Sequence, residues 1–329
     1  MANPIRWGIL GTGRISGNFA EALAICPEGE LVAVGSRSEA SAAAFAQKHR
    51  ARRAHGSYEA LARDPEVDAI YVGTLHPYHC ENTILCLEAG KAVLCEKPFA
   101  MHEREARKMV ETARRTKRFL MEAMWTHFLP AVVRAFDLVG KGAIGELRMV
   151  HADFGFRAPF DPKGRLFDPA QGGGSLLDVG VYPVSLATRL LGEPSRIQSS
   201  AVLGKTGVDE QASMLLDYEG GRQAVLSSAV RTETTHTAWL SGSEGRIKIE
   251  APFWKGQRVI VSAGGKEEAM DLPFDGNGFP HQAREVMRCL AQGLVESPRM
   301  THEFSLLVMR TLDRIRAPWS MRYAADSTK

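Results

Sequence analysis

A glycine-rich turn near the start of the chain limits the possible folds more than any other feature of the sequence. In WGILGTGRISGNFAEAL, Gly11-Thr12-Gly13 follows the short apolar segment 5–10 and precedes a helical pattern. Glycines in such a turn let backbone N–H groups approach a pyrophosphate, and the helix N-terminus favours negative charge. Ser16 stands where a third glycine is usual, and a small residue still allows close packing there. The turn therefore predicts a dinucleotide site, with contacts from Gly11, Thr12, Gly13, Arg14 and Ile15.

Further strand-like segments alternate with helical patterns as far as residue 124. The predicted strands are 5–10, 30–36, 67–74, 91–98 and 118–124. Ser38 is the expected N-cap of an alanine-rich helix, and Gly90 is the expected stop of the helix before the fourth strand. Elements that alternate at this spacing form βαβ units with a parallel sheet. This context favours the dinucleotide site over the alternative, a glycine-rich turn that binds no ligand.

The pattern of the sequence changes at about Glu146. Seven strand-like segments follow, joined by short glycine-rich turns such as YEGGRQ and SGSEGR, and they predict a largely antiparallel sheet. Helical patterns at 278–293 and 302–316 close the chain. A chain of 329 residues is long enough for two domains. We place them at 1–122 and 123–329, and we expect that helix 302–316 can pack back on the first domain.

The end of the second strand indicates which dinucleotide is bound. A carboxylate there would accept hydrogen bonds from the ribose hydroxyls of NAD and would repel the 2′-phosphate of NADP. This chain has Ser36, Arg37 and Ser38 at that point, and Glu30 lies at the opposite end of the strand. A guanidinium and two hydroxyls suit a phosphate, so the sequence predicts NADP. The alternative is that Arg37 is a solvated surface charge.

Two further stretches carry reactive side chains. LCEKP places Glu96 and Lys97 at the carboxyl end of a parallel strand, where ligands bind in such sheets, although a lysine in a loop can also be a solvated charge. GGGSLLDVGVYP begins with Ser175 as the expected N-cap but has weak helix propensity. On a helix Asp178 and Tyr182 share one face, because they are four residues apart. A weak helix that presents a carboxylate beside a phenol indicates a functional site.

Together these motifs identify a resemblance. The glycine-rich turn, KAVLCEKP, LMEAMWT, GELRMV, GGGSLLDVGVYP and TGVDE resemble the glucose–fructose oxidoreductase and inositol dehydrogenase family, and within it a branch active on dihydrodiols. The resemblance covers nearly the whole chain. It implies an α/β protein with an N-terminal NADP-binding Rossmann domain. It also implies a C-terminal α+β domain with a large, mostly antiparallel open sheet that forms a homodimer or a higher homo-oligomer.

The resemblance also implies roles for individual residues. Tyr182 would be the acid/base, Lys97 its electrostatic partner, and Asp178 would bind a substrate hydroxyl or orient the pair. An ammonium near a phenol stabilises the phenolate and lowers its pKa by roughly 1–3 units, which makes it a better base near neutral pH. Tyr182 as a packed aromatic ring is the alternative interpretation. The remaining implied cofactor contacts are Thr74, Leu75, His76, Glu96 and Lys97. The remaining implied substrate-pocket residues are His79, Trp125, Arg148 and Phe154, of which Trp125 and Phe154 would look the same in sequence as core aromatics.

Composition excludes other classes of partner. The formal net charge of +3 is too small to indicate nucleic acid or an anionic membrane, and no apolar run is long enough to span a bilayer. The five cysteines form no C-x-x-C pair, and MANPIRWGIL lacks the pattern of a secretion signal, so we expect a cytoplasmic protein. His76, His79 and Cys80 lack a convincing fourth ligand, so we expect no metal.

The leading hypothesis is an NADP-dependent dehydrogenase that acts on a secondary alcohol or hemiacetal of a sugar or cyclic diol. One alternative is a sugar–sugar oxidoreductase that keeps NADP(H) tightly bound. Another is a non-catalytic dinucleotide-binding sensor, which would need neither Lys97 nor Tyr182. The substrate itself is not specified, because His127 stands where the dihydrodiol branch has arginine. A second pocket arginine of that branch is also not clearly matched near 203–205.

Overall fold

The parallel sheet predicted for the first third of the chain is present in the computed structural model, which describes residues 4–327. Its six strands lie in the order β3-β2-β1-β4-β5-β6, and every pair is parallel. The strands are β1 Ile5–Leu10, β2 Gly29–Gly35, β3 Arg53–His55, β4 Ala69–Val72, β5 Ala92–Glu96 and β6 Leu120–Ala123. The strand order reverses between β1 and β4, which pair from Trp7↔Ala69 to Leu10↔Val72. Ligands bind at the carboxyl ends of strands at such a reversal.

The helices of this unit include the two for which the sequence predicts an end, the start at Ser38 and the stop at Gly90. They are α1 Arg14–Leu23, α2 Glu39–His49, α3 Tyr58–Ala62, α4 His79–Glu88, α5 Glu103–Thr116 and, much later in the chain, α8 Pro280–Ala291. Ser38 caps α2, because its hydroxyl accepts the N–H of Ser41 at 3.3 Å. Gly90 follows α4 with a φ of 83°, in the left-handed region that favours glycine. Both terminal signals are therefore confirmed.

Aromatic packing fixes α1 against the sheet. Phe19 of α1 stacks on Tyr71 of β4, with ring centroids 4.0 Å apart, and meets Trp7 of β1 edge-on at 5.2 Å. All three side chains are fully buried. Burying rings of this size stabilises the fold by about 2–3 kcal/mol each. The same packing holds the start of α1 beside the end of β1.

The second unit contains an eight-stranded sheet in the order β14-β13-β12-β11-β7-β10-β9-β8. The strands are β7 Leu147–Gly155, β8 Arg196–Leu203, β9 Asp209–Tyr218, β10 Arg222–Ala229, β11 Ala238–Gly242, β12 Gly245–Ile249, β13 Arg258–Ala263 and β14 Lys266–Asp271. All neighbours are antiparallel except β7 and β10. The predicted fold class, a parallel sheet followed by a large, mostly antiparallel one, is confirmed. The sequence analysis missed β14, because KEEAMD is charged and exposed, as is common in edge strands.

Three helices accompany this sheet. They are α6 Pro130–Gly140, α7 Val181–Leu191, and α9 His302–Arg316, whose first turn groups with the first unit. A single π-helical turn, Leu176–Gly180, leads into α7. Helix α7 packs on β7 and β10, which explains why most of its residues are buried.

The chain divides into units differently from the predicted domains. The first unit runs to Trp125 and also includes Asp275–Leu306, and the second comprises Thr126–Phe274 and the chain from Leu307. The predicted domains are 1–122 and 123–329, with helix 302–316 able to pack back on the first domain. Helix α8 joins the first unit because it packs on α1, where Asn277 donates to the Asn18 carbonyl at 2.8 Å. The order of elements along a chain does not specify on which sheet a late helix packs.

The start of α9 is held to β6. His302 Nε2 lies 3.0 Å from the Leu120 carbonyl oxygen, and the Ser305 hydroxyl donates to Glu122 Oε2 at 2.7 Å. Glu122 is fully buried, and burial raises the pKa of its carboxyl to about 7. A buried carboxyl with no cation bonded to it favours its protonated form.

Candidate active site

The glycine-rich turn has the geometry of an anion site. Gly11 has a φ of 98°, and a Cβ there would lie 3.0 Å from the Gly73 carbonyl oxygen, so glycine is required. Gly13 is the N-cap of α1, and a Cβ there would meet nothing within 4 Å. Among the described residues no side chain caps α1, and its first turn contains no acidic residue. The first N–H groups of this ten-residue helix, those of Arg14 and Ile15, are therefore suited to a phosphate.

Ser16 completes the close packing of the turn. It is fully buried, and a Cβ on Gly73 would overlap its hydroxyl oxygen. The small side chain expected at the third position of the motif is therefore required by the approach of the chain after β4. The segments that follow β1 and β4 therefore pack against each other.

The end of β2 carries no carboxylate. The Ser36 hydroxyl accepts the N–H of Ser38 at 3.3 Å, and the Ser38 hydroxyl caps α2. Arg37 is exposed, with its guanidinium carbon 5.9 Å from the ring centre of Tyr78. Glu30, at the opposite end of β2, lies 3.4 Å from Arg52. The exposed cation and the two hydroxyl groups suit the 2′-phosphate of NADP.

The loop after β4 is organised by a buried histidine. His79 is completely buried, with Nδ1 2.8 Å from the Pro98 carbonyl oxygen and Nε2 3.1 Å from that of Thr74. Burial lowers the pKa of His79 to about 4, and a neutral imidazole donates to one of these two carbonyl oxygens. His79 therefore joins the segments after β4 and β5, and its place in the substrate pocket stays a prediction. The Thr74 hydroxyl accepts from Asn82 at 3.3 Å, and Leu75 and His76 are half-buried.

Glu96 shapes the backbone at the end of β5. Its carboxylate accepts the Tyr71 hydroxyl at 2.6 Å and the Lys97 backbone N–H at 3.2 Å. The peptide bond from Lys97 to Pro98 is cis. Glu96 is buried and Lys97 is half-buried. The predicted cofactor contact Glu96 thus holds the segment that carries Lys97, and this supporting role was not foreseen from the sequence.

The helix that carries Tyr182 begins differently from the prediction. Ser175 has helical backbone angles and does not cap the helix with its side chain. Its hydroxyl instead donates to Asp209 Oδ2 at 2.8 Å, and the same oxygen accepts the Leu176 N–H at 2.7 Å. The expected cap is therefore wrong: a carboxylate from β9 caps the turn. Asp209 lies 34 residues away from Ser175, so no local pattern could have identified it.

Asp178 is held in an ion pair. Arg165 donates to both carboxylate oxygens of Asp178, at 3.0 and 3.2 Å. The Asp178 side chain is buried, whereas that of Arg165 is 40% exposed. Sequence reasoning missed Arg165 because it lies in an irregular segment with no motif of its own. A fork of two hydrogen bonds holds the Asp178 carboxylate in one orientation.

Tyr182 lies among aromatic side chains. Its ring centre is 5.4 Å from that of Phe154 and 6.5 Å from that of Trp254, and only 7% of the residue is exposed. Phe154 stacks on Trp254 with an interplanar angle of 5°. His236 meets both of these rings edge-on. Phe154 therefore adjoins Tyr182, and Trp254 and His236 are neighbours that the sequence analysis did not select.

Arg148 and Trp125 are the two other predicted pocket residues. Arg148 lies on β7 six residues before Phe154, about 20 Å along the strand. Its guanidinium contacts Glu146 at 2.8 Å and the Gly220 carbonyl at 3.2 Å, and its place in the substrate pocket stays a prediction. Trp125, in the first unit, is buried and stacks on Phe279 at 4.9 Å.

His127, which stands where the dihydrodiol branch has arginine, is also buried. Its Nε2 lies 3.1 Å from the Ser185 hydroxyl of α7. The ring meets Phe136 edge-on at 5.4 Å. His127 therefore packs against the helix that carries Tyr182.

Metal sites, disulfides and membrane-spanning helices are not found within residues 4–327. This part of the chain holds no group of three or more histidine, cysteine or acidic side chains that could bind a metal ion. All five cysteines are buried thiols without a disulfide. None of the helices described is both long and apolar enough to cross a membrane.

Comparison with known proteins identifies the family. A model described as an oxidoreductase family with an NAD-binding Rossmann fold matches residues 5–124, and one for the GFO/IDH/MocA C-terminal domain matches residues 132–248. The chain therefore belongs to the GFO/IDH/MocA oxidoreductase family. This confirms the family predicted from the motifs.

Individual relatives are similar over almost their whole length. Trans-1,2-dihydrobenzene-1,2-diol dehydrogenase of Danio rerio is 40% identical over 335 residues, which cover 98% of this chain and 99% of the relative. The protein of the same name in Homo sapiens is 38% identical over 332 residues, with the same coverage.

Solved structures show the same architecture. A 3-ketoreductase from Actinomadura kijaniata, crystallised with NADP and TDP-benzene, has a TM-score of 0.85 and is 29% identical, covering 96% of this chain and 98% of its own. An aldose–aldose oxidoreductase from Caulobacter crescentus has a TM-score of 0.88 and is 26% identical, covering 96% and 97%.

Proposed function

We propose that this chain is an NADP-dependent dehydrogenase that oxidises a secondary alcohol or hemiacetal carbon of a cyclic diol or sugar, or reduces the corresponding carbonyl. Tyr182 is the acid/base, assisted by Lys97. The observation that carries the proposal is the placement of the Tyr182 phenol one turn after the Arg165–Asp178 ion pair and beside Phe154 and Trp254. Relatives of about 40% identity with a dihydrodiol dehydrogenase name support the reaction class.

The cofactor in this proposal is NADP. Its pyrophosphate is bound by the N–H groups at the start of α1, and its 2′-phosphate by Arg37 with Ser36 and Ser38. The arguments are the open space at Gly13, the uncapped helix and the absence of a carboxylate at residues 36–38. NADP supplies the nicotinamide carbon that accepts or donates a hydride.

Tyr182 moves the proton in the proposed reaction. In the oxidative direction its phenolate takes the proton of the substrate hydroxyl, and in the reductive direction the phenol returns it. The Lys97 ammonium stabilises the phenolate form electrostatically. Asp178, already fixed by Arg165, presents its carboxylate to a neighbouring substrate hydroxyl without having to be ordered first.

The surroundings of Tyr182 support the substrate class. Phe154, Trp254 and Tyr182 present ring surfaces, and His236 adds an edge. Ring faces stack on flat or apolar faces of cyclic molecules, while an ion pair and a phenol bind hydroxyl groups. A ring that carries adjacent hydroxyl groups combines both features.

One alternative receives specific support. The similar structure from Caulobacter crescentus has the name of an aldose–aldose oxidoreductase, a class that passes hydride between two sugars. In that case NADP(H) would stay bound through both half-reactions. A sensor that binds dinucleotide without turnover has less support, because it needs neither the Tyr182 phenol nor the Arg165–Asp178 pair.

The experiment adds NADP+ and a panel of cyclic diols and sugars to the purified protein while absorbance at the NADPH wavelength is followed. Many equivalents of free NADPH per protein support the proposal. Reduction limited to one protein-bound equivalent, reversed by a second sugar, indicates the sugar–sugar enzyme. NADP(H) binding without any reduction across the panel would contradict both enzymes and support the dinucleotide sensor.

We also propose that the protein is a homodimer that associates through the large sheet. Successive residues of β8 alternate between half-buried and exposed, and Val202, Leu203 and Val225 are exposed apolar side chains on β8 and β10. An exposed apolar sheet face is an association surface. Light scattering at micromolar concentration should give twice the mass of the chain; a monomer mass would refute the dimer.

A further inference from the structure

Asp209 is a buried carboxylate with no cation beside it. It is the first residue of β9 and is completely buried. Within the described part of the chain it takes part in no ion pair. Its Oδ2 accepts the Ser175 hydroxyl at 2.8 Å and the Leu176 N–H at 2.7 Å. Burying a charged group without a counter-ion is costly, so its donors must compensate.

We propose that Asp209 is a positioning residue for Tyr182: it anchors the π-helical turn Leu176–Gly180 and thereby sets the direction from which Tyr182 reaches the substrate. This inference rests on the proposed function of Tyr182. Asp209 does not touch the phenol, and it acts through the backbone of the turn.

The contacts of Asp209 fix the turn from two sides. The Ser175 hydroxyl lies 2.9 Å from that of Ser228 on β10, which ties the start of the turn to a second strand. The other oxygen, Oδ1, faces Gly174, whose φ is 114° and where a Cβ would overlap it. No residue but glycine could pass so close to the carboxylate, so the GGGS segment is shaped around Asp209.

The widened turn gives this anchor a functional meaning. A π-helical turn is less regular than an α-helix and is frequent at functional sites, because it displaces the side chains that follow. Asp178 lies inside the turn, and Tyr182 is the second residue after it. An anchor at the first N–H of the turn therefore acts on both side chains that the proposed reaction uses.

The charge of Asp209 makes the anchor sensitive to pH. Burial raises the pKa of its carboxyl to about 6, while its hydrogen bonds to Leu176 and Ser175 oppose that rise. The titratable group that faces it is Tyr323, whose hydroxyl donates to the Gly173 carbonyl at 2.5 Å and whose pKa is raised by burial. Ser175 and Ser228 are neutral. Asp209 is therefore ionised at neutral pH and becomes a weaker acceptor as the pH falls below about 6.

The test compares Asp209→Asn with Asp217→Asn. Asp217 lies at the other end of the same strand, where its carboxylate bonds Arg196 at 2.7 Å and Gln223 at 2.8 Å at the surface. We expect Asp209→Asn to lower kcat by about 10- to 100-fold and to leave the NADPH affinity from fluorescence titration within about twofold, a factor well under 1 kcal/mol. In the reductive direction Tyr182 acts as the protonated phenol, so its own titration does not lower kcat at acid pH. There we expect the kcat of wild type to decrease below pH 6 and that decrease to be absent in Asp209→Asn. Asp217→Asn should resemble wild type throughout.

Amide hydrogen exchange separates this inference from the proposed function. In Asp209→Asn the peptide that covers residues 175–182 should exchange faster, with β1–α1 unchanged, even if no substrate is ever found. An unchanged kcat, or a lowered kcat that still decreases below pH 6 in the reductive direction, would overturn the inference, as would unchanged exchange. If Asp209→Asn does not fold, Ser228→Ala is the second variant, because it removes only the contact between the Ser228 and Ser175 hydroxyls. It must then show the same changes in kcat and in exchange, at smaller size.

Discussion

The helix α1 and the π-helical turn before α7 begin in opposite ways. At α1, Gly13 offers no side chain, the first turn has no acid, and the space in front of the first N–H groups is open. At the π turn, the buried carboxylate of Asp209 occupies the corresponding place and accepts the first N–H. Both termini present the positive end of a helix to negative charge. At the π-helical turn the negative charge comes from Asp209. At α1 it would come from a bound ligand.

This difference indicates which helix start can bind a ligand and which one positions side chains. A helix start that is already satisfied by Asp209 has no capacity for a phosphate, but it is held in one orientation. A helix start without a side-chain acceptor gains its partner when the cofactor arrives. In the proposed function the cofactor contacts belong to the first unit and the proton-transfer side chain to the second.

Lys97→Met should have the largest effect among the substitutions that probe this comparison. Removal of the ammonium should lower kcat by roughly 10²–10⁴, the usual contribution of a positioned acid/base pair. It should also weaken NADPH binding, because Lys97 lies at the carboxyl end of β5 in the cofactor-binding unit. Steady-state kinetics and fluorescence titration measure the two effects. Lys97→Arg, which keeps the charge, is the matched control and should bind NADPH more tightly than the methionine variant.

Gly13→Asp converts the start of α1 into a copy of the start of the π turn. The new carboxylate should cap α1, with a gain of about 1 kcal/mol in stability, and repel the pyrophosphate. We expect NADPH affinity to fall by about 100-fold, or close to 3 kcal/mol. Gly13→Asn has the same shape without the charge and should retain at least tenfold more affinity. If the two variants bind NADPH equally, α1 is not the phosphate site.

The end of β2 should determine the preference between cofactors. Wild type should prefer NADP over NAD by at least about tenfold in kcat/KM, or about 1.4 kcal/mol. Ser36→Asp combined with Arg37→Ala should move that preference toward NAD, because a carboxylate suits the ribose hydroxyls and repels the 2′-phosphate. Equal use of both cofactors by wild type would contradict the assignment.

The two regions also differ in how far the sequence predicts them. The βαβ alternation, the glycine turn and the Ser38 cap follow from local patterns, because each acts over a few residues. The Asp209 cap and the Arg165–Asp178 pair join residues 34 and 13 positions apart, which no periodicity encodes. Arg148 shows a further limit: it shares a strand with Phe154 but lies near the opposite end of it, and sequence similarity alone does not specify which pocket it faces.

The smallest effect concerns the buried carboxyl of Glu122 in the first unit, the counterpart of Asp209. Its folded pKa of about 7 lies above the ordinary value of 4.5, so the folded state binds the proton more tightly. The stabilisation is complete below about pH 4.5 and is lost as the pH rises through 7. Relative to Glu122→Gln, wild type should therefore lose a few degrees of Tm between pH 4.5 and 8. A Tm difference that does not change with pH would show that Glu122 titrates normally.

The most direct test of the account measures kcat and NADPH affinity together in Tyr182→Phe. The substitution removes one oxygen and keeps the ring that packs on Phe154, so the fold and the start of α1 should be unaffected. We expect kcat to fall by roughly 10²–10⁴ while the Kd for NADPH changes by less than about threefold. A variant that kept more than about a third of wild-type kcat on a good substrate would contradict the account, and Asp178 would then be the first candidate for the base.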